Sequence, residues 1–153
     1  MSKDVIAKLR DLRAELRVDG LMISGATNRR YATGYMAEDH APDEISGVLL
    51  LDATVSTLFV SGNNIEWAAS EAPAVSVEGW KRPWEKHIAE RIKSHGWKRV
   101  GFEDRALNVN SFEVLKAAEA GIEWIPLGGA GDLLRSRESP TEVEDLATAI
   151  RLT

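Results

Sequence analysis

The densest group of side chains that could bind a metal ion is Glu38, Asp39, His40, Asp43 and Glu44. Four carboxylates and one imidazole in so short a segment are ligands for hard or borderline divalent cations. The segment is also polar and contains a proline, which predicts a surface loop. Neighbouring residues of a loop rarely converge on one ion, so we expect a solvated acidic loop rather than a metal centre.

The other two histidines lie in or beside a predicted helix. His87 and Glu90 are three residues apart, a spacing that can serve a metal, but basic residues flank them and favour a solvated charged face. His95 precedes Gly96, which is typical of a helix C-terminus, where an imidazolium complements the helix dipole. We predict no metal site within residues 1–153.

A glycine-rich segment, Gly128-Gly129-Ala130-Gly131, lies between a predicted strand and a helix and could cradle a phosphate. It lacks the lysine and the serine or threonine of a Walker motif, and Asp132 would repel phosphate. We do not expect a nucleotide site there.

The chain has no cysteine, which excludes a disulfide framework, a thiolate zinc site and a cysteine nucleophile. It also has no nucleophile-elbow sequence. The residues therefore support no covalent mechanism within this chain, which we expect to be inactive alone.

Five tryptophans are many for this length. Trp80 and Trp84 bracket Lys81-Arg82-Pro83 at a predicted junction between a loop and a helix. Exposed large aromatics are enriched at interfaces, so we expect one of this pair to pack at a domain or dimer interface.

The composition indicates one globular domain. The chain has 153 residues, 44% of them hydrophobic, and a net charge of −5 without a basic stripe, which argues against nucleic-acid binding. No apolar run is long enough to span a membrane, and the N-terminus shows no signal peptide. We expect a cytoplasmic location.

Helical and strand patterns alternate along the chain. Val5, Leu9, Leu12 and Leu16 mark the apolar face of a first helix, which leads directly into a buried strand at 21–23. A short helix is expected within 25–34, with Thr27 or Asn28 as its cap and Gly34 as its end. Further helices are predicted at 63–72, 83–95 and 111–120, and further strands at 47–51, 56–60, 74–77, 100–102 and 123–125. This order predicts an α/β fold with a mixed sheet between helices.

The C-terminal residues predict one more helix. Ser139-Pro140-Thr141-Glu142 is a capping box with proline at the first helical position, and Val143, Leu146 and Ile150 follow on one face. No terminating residue precedes Thr153. We interpret 1–135 as a domain and 136–153 as the start of a linker helix into a second domain that is absent from this chain.

Four segments occur in an order that carries a resemblance. They are Leu-Arg-Asp-Leu-Arg at 9–13, Asn28-Arg29-Arg30-Tyr31-Ala32-Thr33-Gly34-Tyr35, Val100-Gly101-Phe102-Glu103, and Leu134-Arg135 followed by Ser139-Pro140-Thr141-Glu142. The chain resembles the N-terminal domain of the creatinase, prolidase and aminopeptidase P family of pita-bread metallopeptidases. The resemblance implies a three-layer α/β domain, with a mixed sheet of about six strands and a ribonuclease H-like motif.

The resemblance also implies a role. In this family the N-terminal domain shapes the substrate cleft and contributes to a homodimer. Its partner is the C-terminal catalytic domain, which binds two divalent metal ions, with manganese, cobalt or zinc as candidates, and cleaves proline-containing peptides. The loop after the Tyr-x-Thr-Gly motif lies near the dimer interface, so the resemblance makes Tyr35 and His40 candidates for substrate contact.

The preferred hypothesis is thus the non-catalytic N-terminal domain of an Xaa-Pro peptidase. Two alternatives stay open, namely the N-terminal domain of a creatinase-type amidinohydrolase and a free-standing α/β module that binds a small molecule or a protein.

Overall fold

The computed structural model describes residues 2–39, 44–130, 148 and 150. The helices are α1 (Ser2–Leu16), α2 (Ala26–Thr33), α3 (Ile65–Glu71), α4 (Trp84–Ser94) and α5 (Val109–Ala118), with 3₁₀ turns at Gly62–Asn64 and Asp104–Ala106. The strands are β1 (Gly20–Ile23), β2 (Val48–Leu51), β3 (Ser56–Ser61), β4 (Ser76–Trp80), β5 (Arg99–Phe102) and β6 (Glu123–Pro126). None of the helices in these ranges is long and apolar enough to cross a membrane.

The six strands form one mixed sheet in the order β4-β3-β2-β1-β5-β6. β2 is antiparallel to both of its neighbours, β1 and β3, while β1 pairs in parallel with β5, β5 with β6, and β3 with β4. Five strands therefore point one way and β2 points the other way. This confirms the predicted mixed six-stranded sheet.

Helices α1, α2 and α3 cover one face of the sheet. The predicted stripe of α1 is buried against side chains of β1 and β2, whose members at this face are Leu21, Ile23, Leu49 and Leu51. Farther along the same face, Ala68 of α3 and Ala72, the residue that follows this helix, pack against Leu58 and Val60 of β3. The stripe is buried because a helix with leucines at helical spacing removes most apolar area from water when it lies flat on a sheet.

Helices α4 and α5 cover the opposite face. Ile88, Ala89 and Ile92 of α4 are fully buried and pack with Leu115 of α5. They contact the strand residues whose side chains point to this face, including Met22, Leu50 and Val100. The short strands β1 and β2 are therefore buried on both faces. This explains why they are continuous apolar runs rather than alternating ones.

The start of α2 differs from the prediction. Its N-cap is Gly25, in an extended conformation, whereas Thr27 and Asn28 lie inside the helix. Asn28 cannot act as the cap because its side chain is hydrogen bonded to another segment of the chain, at Glu103. The predicted C-terminal end is confirmed, since Gly34 adopts a left-handed conformation with φ of 92°.

Most of the predicted C-terminal helix lies outside the described residues, including the capping box at 139–142, Val143, Leu146 and the boundary at 135. Ile150 is described, and its partly buried side chain packs against the core on the α1 face.

Candidate functional site

The parallel strands end together at one edge of the sheet, which we call the carboxyl edge. Ser24, Ser61, Trp80 and Glu103 all lie at or just beyond the ends of their strands. Because β2 runs the opposite way, the described residues that precede it, 35–39 and 44–47, lie at the same edge. Ligands of open α/β sheets bind at this edge.

Glu103 connects two loops of the carboxyl edge. Its Oε1 accepts a hydrogen bond from the Gly25 backbone N–H at 2.9 Å, and its Oε2 accepts one from Asn28 Nδ2 at 2.6 Å. A Cβ at Gly25 would lie 2.9 Å from the Ala106 Cβ, so a side chain there would push the two loops apart. The N-terminus of α2 is thereby fixed to the end of β5.

Arg29 is fully buried and its guanidinium forms hydrogen bonds with several segments of the same edge. Its Nη1 donates to the carbonyl oxygens of Ser24 and Gly47, at 3.3 and 2.9 Å. Its Nη2 donates to the Ala37 carbonyl at 2.9 Å and to Asp39 Oδ1 at 3.1 Å. The planar guanidinium is suited to this role because it presents several donors in a rigid fork.

The acidic segment singled out in the sequence is anchored at both ends by these bonds. Asp39 Oδ1, besides its contact with Arg29, accepts the backbone N–H of Ser46 at 2.7 Å, and the Ser46 hydroxyl donates to the Glu38 carbonyl at 2.7 Å. Glu38 is also 3.8 Å from Arg30 in an exposed ion pair. His40 and Asp43, two members of the candidate metal cluster, lie outside the described residues.

Tyr35 lies between α2 and this segment. Thr33 Oγ1 donates to the Arg29 carbonyl at 2.7 Å and accepts the Tyr35 backbone N–H at 3.1 Å, which turns the chain inward after Gly34. The Tyr35 side chain is fully buried, and burial raises its pKa. The expected contact of Tyr35 with substrate stays a prediction; in this structure its buried ring packs with Ala37 and with Ala68 of α3.

Two large apolar side chains close to Tyr35, those of Trp67 and Met36, are exposed. Trp67 of α3 is 46% exposed and packs edge-on against the Tyr35 ring, with 5.3 Å between the ring centroids. Met36 is 50% exposed, and its backbone N–H donates to Glu71, one turn after Trp67 on the same helix face.

Trp80 and Trp84, in contrast, are buried within the domain's own core, at 8% and 7% exposure. Their rings stack with centroids 5.8 Å apart and an interplanar angle of 28°. The expected interface position of this pair rested on exposure, which the structure does not show. The pair packs against α4 and the sheet because Trp84 belongs to the same apolar face as Ile88 and Ile92.

The remaining histidines have local partners. His87 Nδ1 accepts the Lys81 backbone N–H at 3.1 Å, and burial lowers the pKa of His87. His95 stacks on Trp97, with 5.1 Å between ring centroids. Within the described ranges, no group of three or more His, Cys, Asp or Glu side chains is arranged to hold a metal ion.

In the glycine-rich turn, the first backbone N–H already has a hydrogen-bond acceptor. Gly128 has φ of 58°, and its backbone N–H donates to Asp104 Oδ1 at 2.8 Å. A carboxylate therefore takes the place that a phosphate would need. Gly131 and Asp132 lie outside the described residues.

Comparison with known proteins gives consistent matches. A family model described as Creatinase/Prolidase N-terminal domain matches residues 6–137. The curated uncharacterized peptidase YqhT of Bacillus subtilis (strain 168) is 23% identical over 147 residues, which cover 96% of this chain and 40% of that protein.

Solved structures match over most of the chain. The Xaa-Pro dipeptidase from Bacillus anthracis has a TM-score of 0.78 at 22% identity, covering 94% of this chain and 38% of that one. The N-terminal domain of cytoplasmic peptidase PepQ from Mycobacterium tuberculosis H37Rv has a TM-score of 0.70 at 27% identity, covering 84% of this chain and 98% of that one. This chain thus spans less than half the length of the two Bacillus proteins and nearly all of the mycobacterial domain.

Proposed function

The chain belongs to the family of Creatinase/Prolidase N-terminal domains, and we propose that it is the non-catalytic N-terminal domain of an Xaa-Pro peptidase. The observation that carries this proposal is the family match over residues 6–137, within which the Asn28 to Gly34 motif and Glu103 are joined by hydrogen bonds. The Bacillus anthracis protein that shares the fold is described as an Xaa-Pro dipeptidase.

In this proposal the chemistry belongs to a C-terminal catalytic domain outside this chain. That domain would hold two divalent metal ions, with manganese, cobalt or zinc as candidates, and would cleave proline-containing peptides. No step of the reaction is assigned to residues of this chain. The location would be the cytoplasm, as described for the mycobacterial peptidase.

We assign the shaping of the substrate cleft to segment 36–46. Arg29 and Asp39 anchor its described residues, and both Met36, its first residue, and Trp67 of α3 are exposed. An anchored loop flanked by exposed apolar side chains suits a contact with a partner domain or a second subunit. In the homodimer, His40 would reach the peptide from this loop.

The experiment is to extend the reading frame past Thr153, express the longer protein beside the 153-residue chain, and assay hydrolysis of Ala-Pro with added Mn²⁺. Cleavage by the longer protein alone is the expected result. Hydrolysis of creatine instead of Ala-Pro would favour the amidinohydrolase alternative. A stop codon directly after Thr153 would contradict the proposal and favour a free-standing binding module.

The loop assignment has its own test in the longer protein. His40→Ala should raise KM for Ala-Pro, because it removes a proposed contact with the peptide. His95→Ala is the matched control, since His95 follows α4 at the opposite edge of the sheet. Equal KM values for the two variants would contradict the role of His40.

A further inference from the structure

A second feature of the carboxyl edge is a cleft of about 710 Å³ between residues 44–46, the end of β3 and the start of α4. Its volume lies within the range of about 300–1,000 Å³ that is typical of small-molecule sites. Its walls combine the stacked Trp80 and Trp84 with the carboxylates of Glu44 and Glu85 and the guanidinium of Arg82. These groups lie outside the contacts that Arg29 and Glu103 make.

Glu85 is the most informative of these groups. It is 8% exposed, and one of its oxygens, Oε2, accepts a hydrogen bond from the Ser111 hydroxyl at 2.8 Å. Among the described residues no hydrogen bond reaches its Oε1 and no ion pair includes it. A buried carboxylate costs free energy unless a cation pairs with it. The first turn of α4 and Ser111 offset part of this cost, and a bound ammonium group would offset the rest.

The cleft also offers donors without acceptors. Arg82 is exposed on the wall and makes no ion pair with a described residue. The Trp80 Nε1 is buried and has no hydrogen-bond partner in the described part of the chain. No side chain caps the N-terminus of α4 at Pro83, so its first N–H groups add positive potential on this side. A carboxylate on a ligand would complement these groups.

The aromatic pair fits the same kind of ligand. Trp80 and Trp84 give the cleft an apolar wall. Indole rings also attract ammonium groups through their π-electrons.

We propose that this cleft binds the zwitterion of a short peptide, with the peptide ammonium at Glu85 and the peptide carboxylate at Arg82. The cleft shares residues 44–46 with the segment assigned to the substrate cleft, but Glu85 and Arg82, the two groups proposed to bind the peptide, lie outside that segment. The site does not depend on the proposed peptidase role, because it is built entirely from residues of this domain.

The probe is the dipeptide Ala-Leu, which lacks proline and therefore does not test the peptidase proposal. The 153-residue chain is isotope-labelled and titrated with Ala-Leu to about 10 mM, a concentration that detects millimolar affinity. Saturable shifts of the Trp80 and Trp84 indole N–H signals in NMR spectra are expected. N-acetyl-Ala-Leu, which lacks the ammonium, and Ala-Leu amide, which lacks the carboxylate, should each bind more weakly by about tenfold.

Matched variants test the two charged groups. Glu85→Gln should weaken Ala-Leu binding by about tenfold, since it removes a charge-assisted hydrogen bond. Glu90→Gln, the same change on the exposed side of α4, should leave it unchanged. Arg82→Gln should likewise weaken Ala-Leu binding. Lys86→Gln, which removes a positive charge from an exposed position of α4, should leave it unchanged.

Three results would overturn the proposal. These are no indole shift with Ala-Leu, equal binding of Ala-Leu and its N-acetyl form, and equal affinity in the Glu85 and Glu90 variants. If Glu85→Gln unfolds, as judged by circular dichroism, the comparison of the three peptides on the unaltered chain decides the outcome.

Discussion

Asn28 Nδ2 and Glu103 Oε2 are 2.6 Å apart, a hydrogen bond between residues separated by 75 positions in the sequence. Both side chains are buried. This bond, and the hydrogen bond that Glu103 accepts from the Gly25 N–H, connect the start of α2 to the end of β5 at the carboxyl edge. The two sequence motifs that carry the family resemblance therefore contact each other in space.

Glu103→Ala should lower the free energy of unfolding by about 2–4 kcal/mol, because it leaves the Gly25 N–H and the Asn28 amide without their acceptor. Urea denaturation would measure the change. Glu113→Ala is the control, since Glu113 is exposed and its ion pair with Lys116 lies at the surface. Combining Glu103→Ala with Asn28→Ala should cost less than the sum of the two. Strict additivity would show that the two residues are not coupled.

Arg29→Lys should be destabilising by about 2–4 kcal/mol, because one ammonium cannot replace the four hydrogen bonds that the guanidinium makes to three backbone carbonyls and one carboxylate. Those acceptors are Ser24, Gly47, Ala37 and the side chain of Asp39. Arg30→Lys is the matched control, since the Arg30 side chain is 39% exposed and its ion pair with Glu38 spans 3.8 Å. Similar thermal midpoints for the two variants would contradict the central role of Arg29.

Asp39→Ala should loosen the segment before β2 without unfolding the domain. Asp39 is the acceptor for the Ser46 N–H, so its removal should speed hydrogen exchange of the Ser46 amide. The amide of Thr54, which is bonded to Asp52 at the opposite edge of the sheet, provides the internal reference. Unchanged exchange at Ser46 would mean that other contacts hold the segment.

Periodic apolar residues made the fold predictable from sequence. The spacing of Leu9, Leu12 and Leu16 and the short apolar runs of β1 and β2 are local signals, and the structure buries all of them. Acceptors that come from distant segments leave no such signal. The burial of Arg29 depends on carbonyl oxygens that the fold brings together around it, and no local pattern marks it as a buried residue.

For the tryptophans, helix periodicity is the local sequence signal that distinguishes buried from exposed rings. Trp84 lies one turn before Ile88 and two turns before Ile92, so the apolar stripe of α4 already included it. Ala68 and Ala72 turn one face of α3 towards the sheet, which leaves Trp67 at the surface. Helix periodicity thus separates the buried rings from the exposed one better than proximity to a loop does.

Gly34→Ala should destabilise the domain by about 1–2 kcal/mol, the cost of a left-handed conformation for a residue with a Cβ. Gly34 has φ of 92°, and its N–H closes α2 by donating to the Arg30 carbonyl at 2.7 Å. Gly62→Ala is the control, because a Cβ there would have no heavy atom within 4 Å. We expect Gly62→Ala to leave stability unchanged or to raise it by about 0.4–1 kcal/mol through the unfolded state. A loss at Gly62 as large as that at Gly34 would refute the conformational explanation.

His87 should make the stability of the domain depend on pH. Burial lowers its pKa, and the positive charge of Arg91 acts in the same direction, so the folded state favours the neutral ring that accepts the Lys81 N–H. In the unfolded chain the pKa is about 6.5, so this contribution is fully present above that value and is lost as the pH falls through the lower folded pKa. Glu78 stays charged in this range, because its hydrogen bonds from Arg91 lower its pKa.

The test compares the unaltered chain with His87→Asn, whose Oδ1 can accept the same hydrogen bond without titrating. Urea unfolding at about pH 7.5 and about pH 5 brackets the titration of histidine. The unaltered chain should lose more stability on acidification than the variant. Both proteins keep His40 and His95, so the difference between them isolates His87. Equal losses in the two proteins would show that protonation of His87 does not oppose folding.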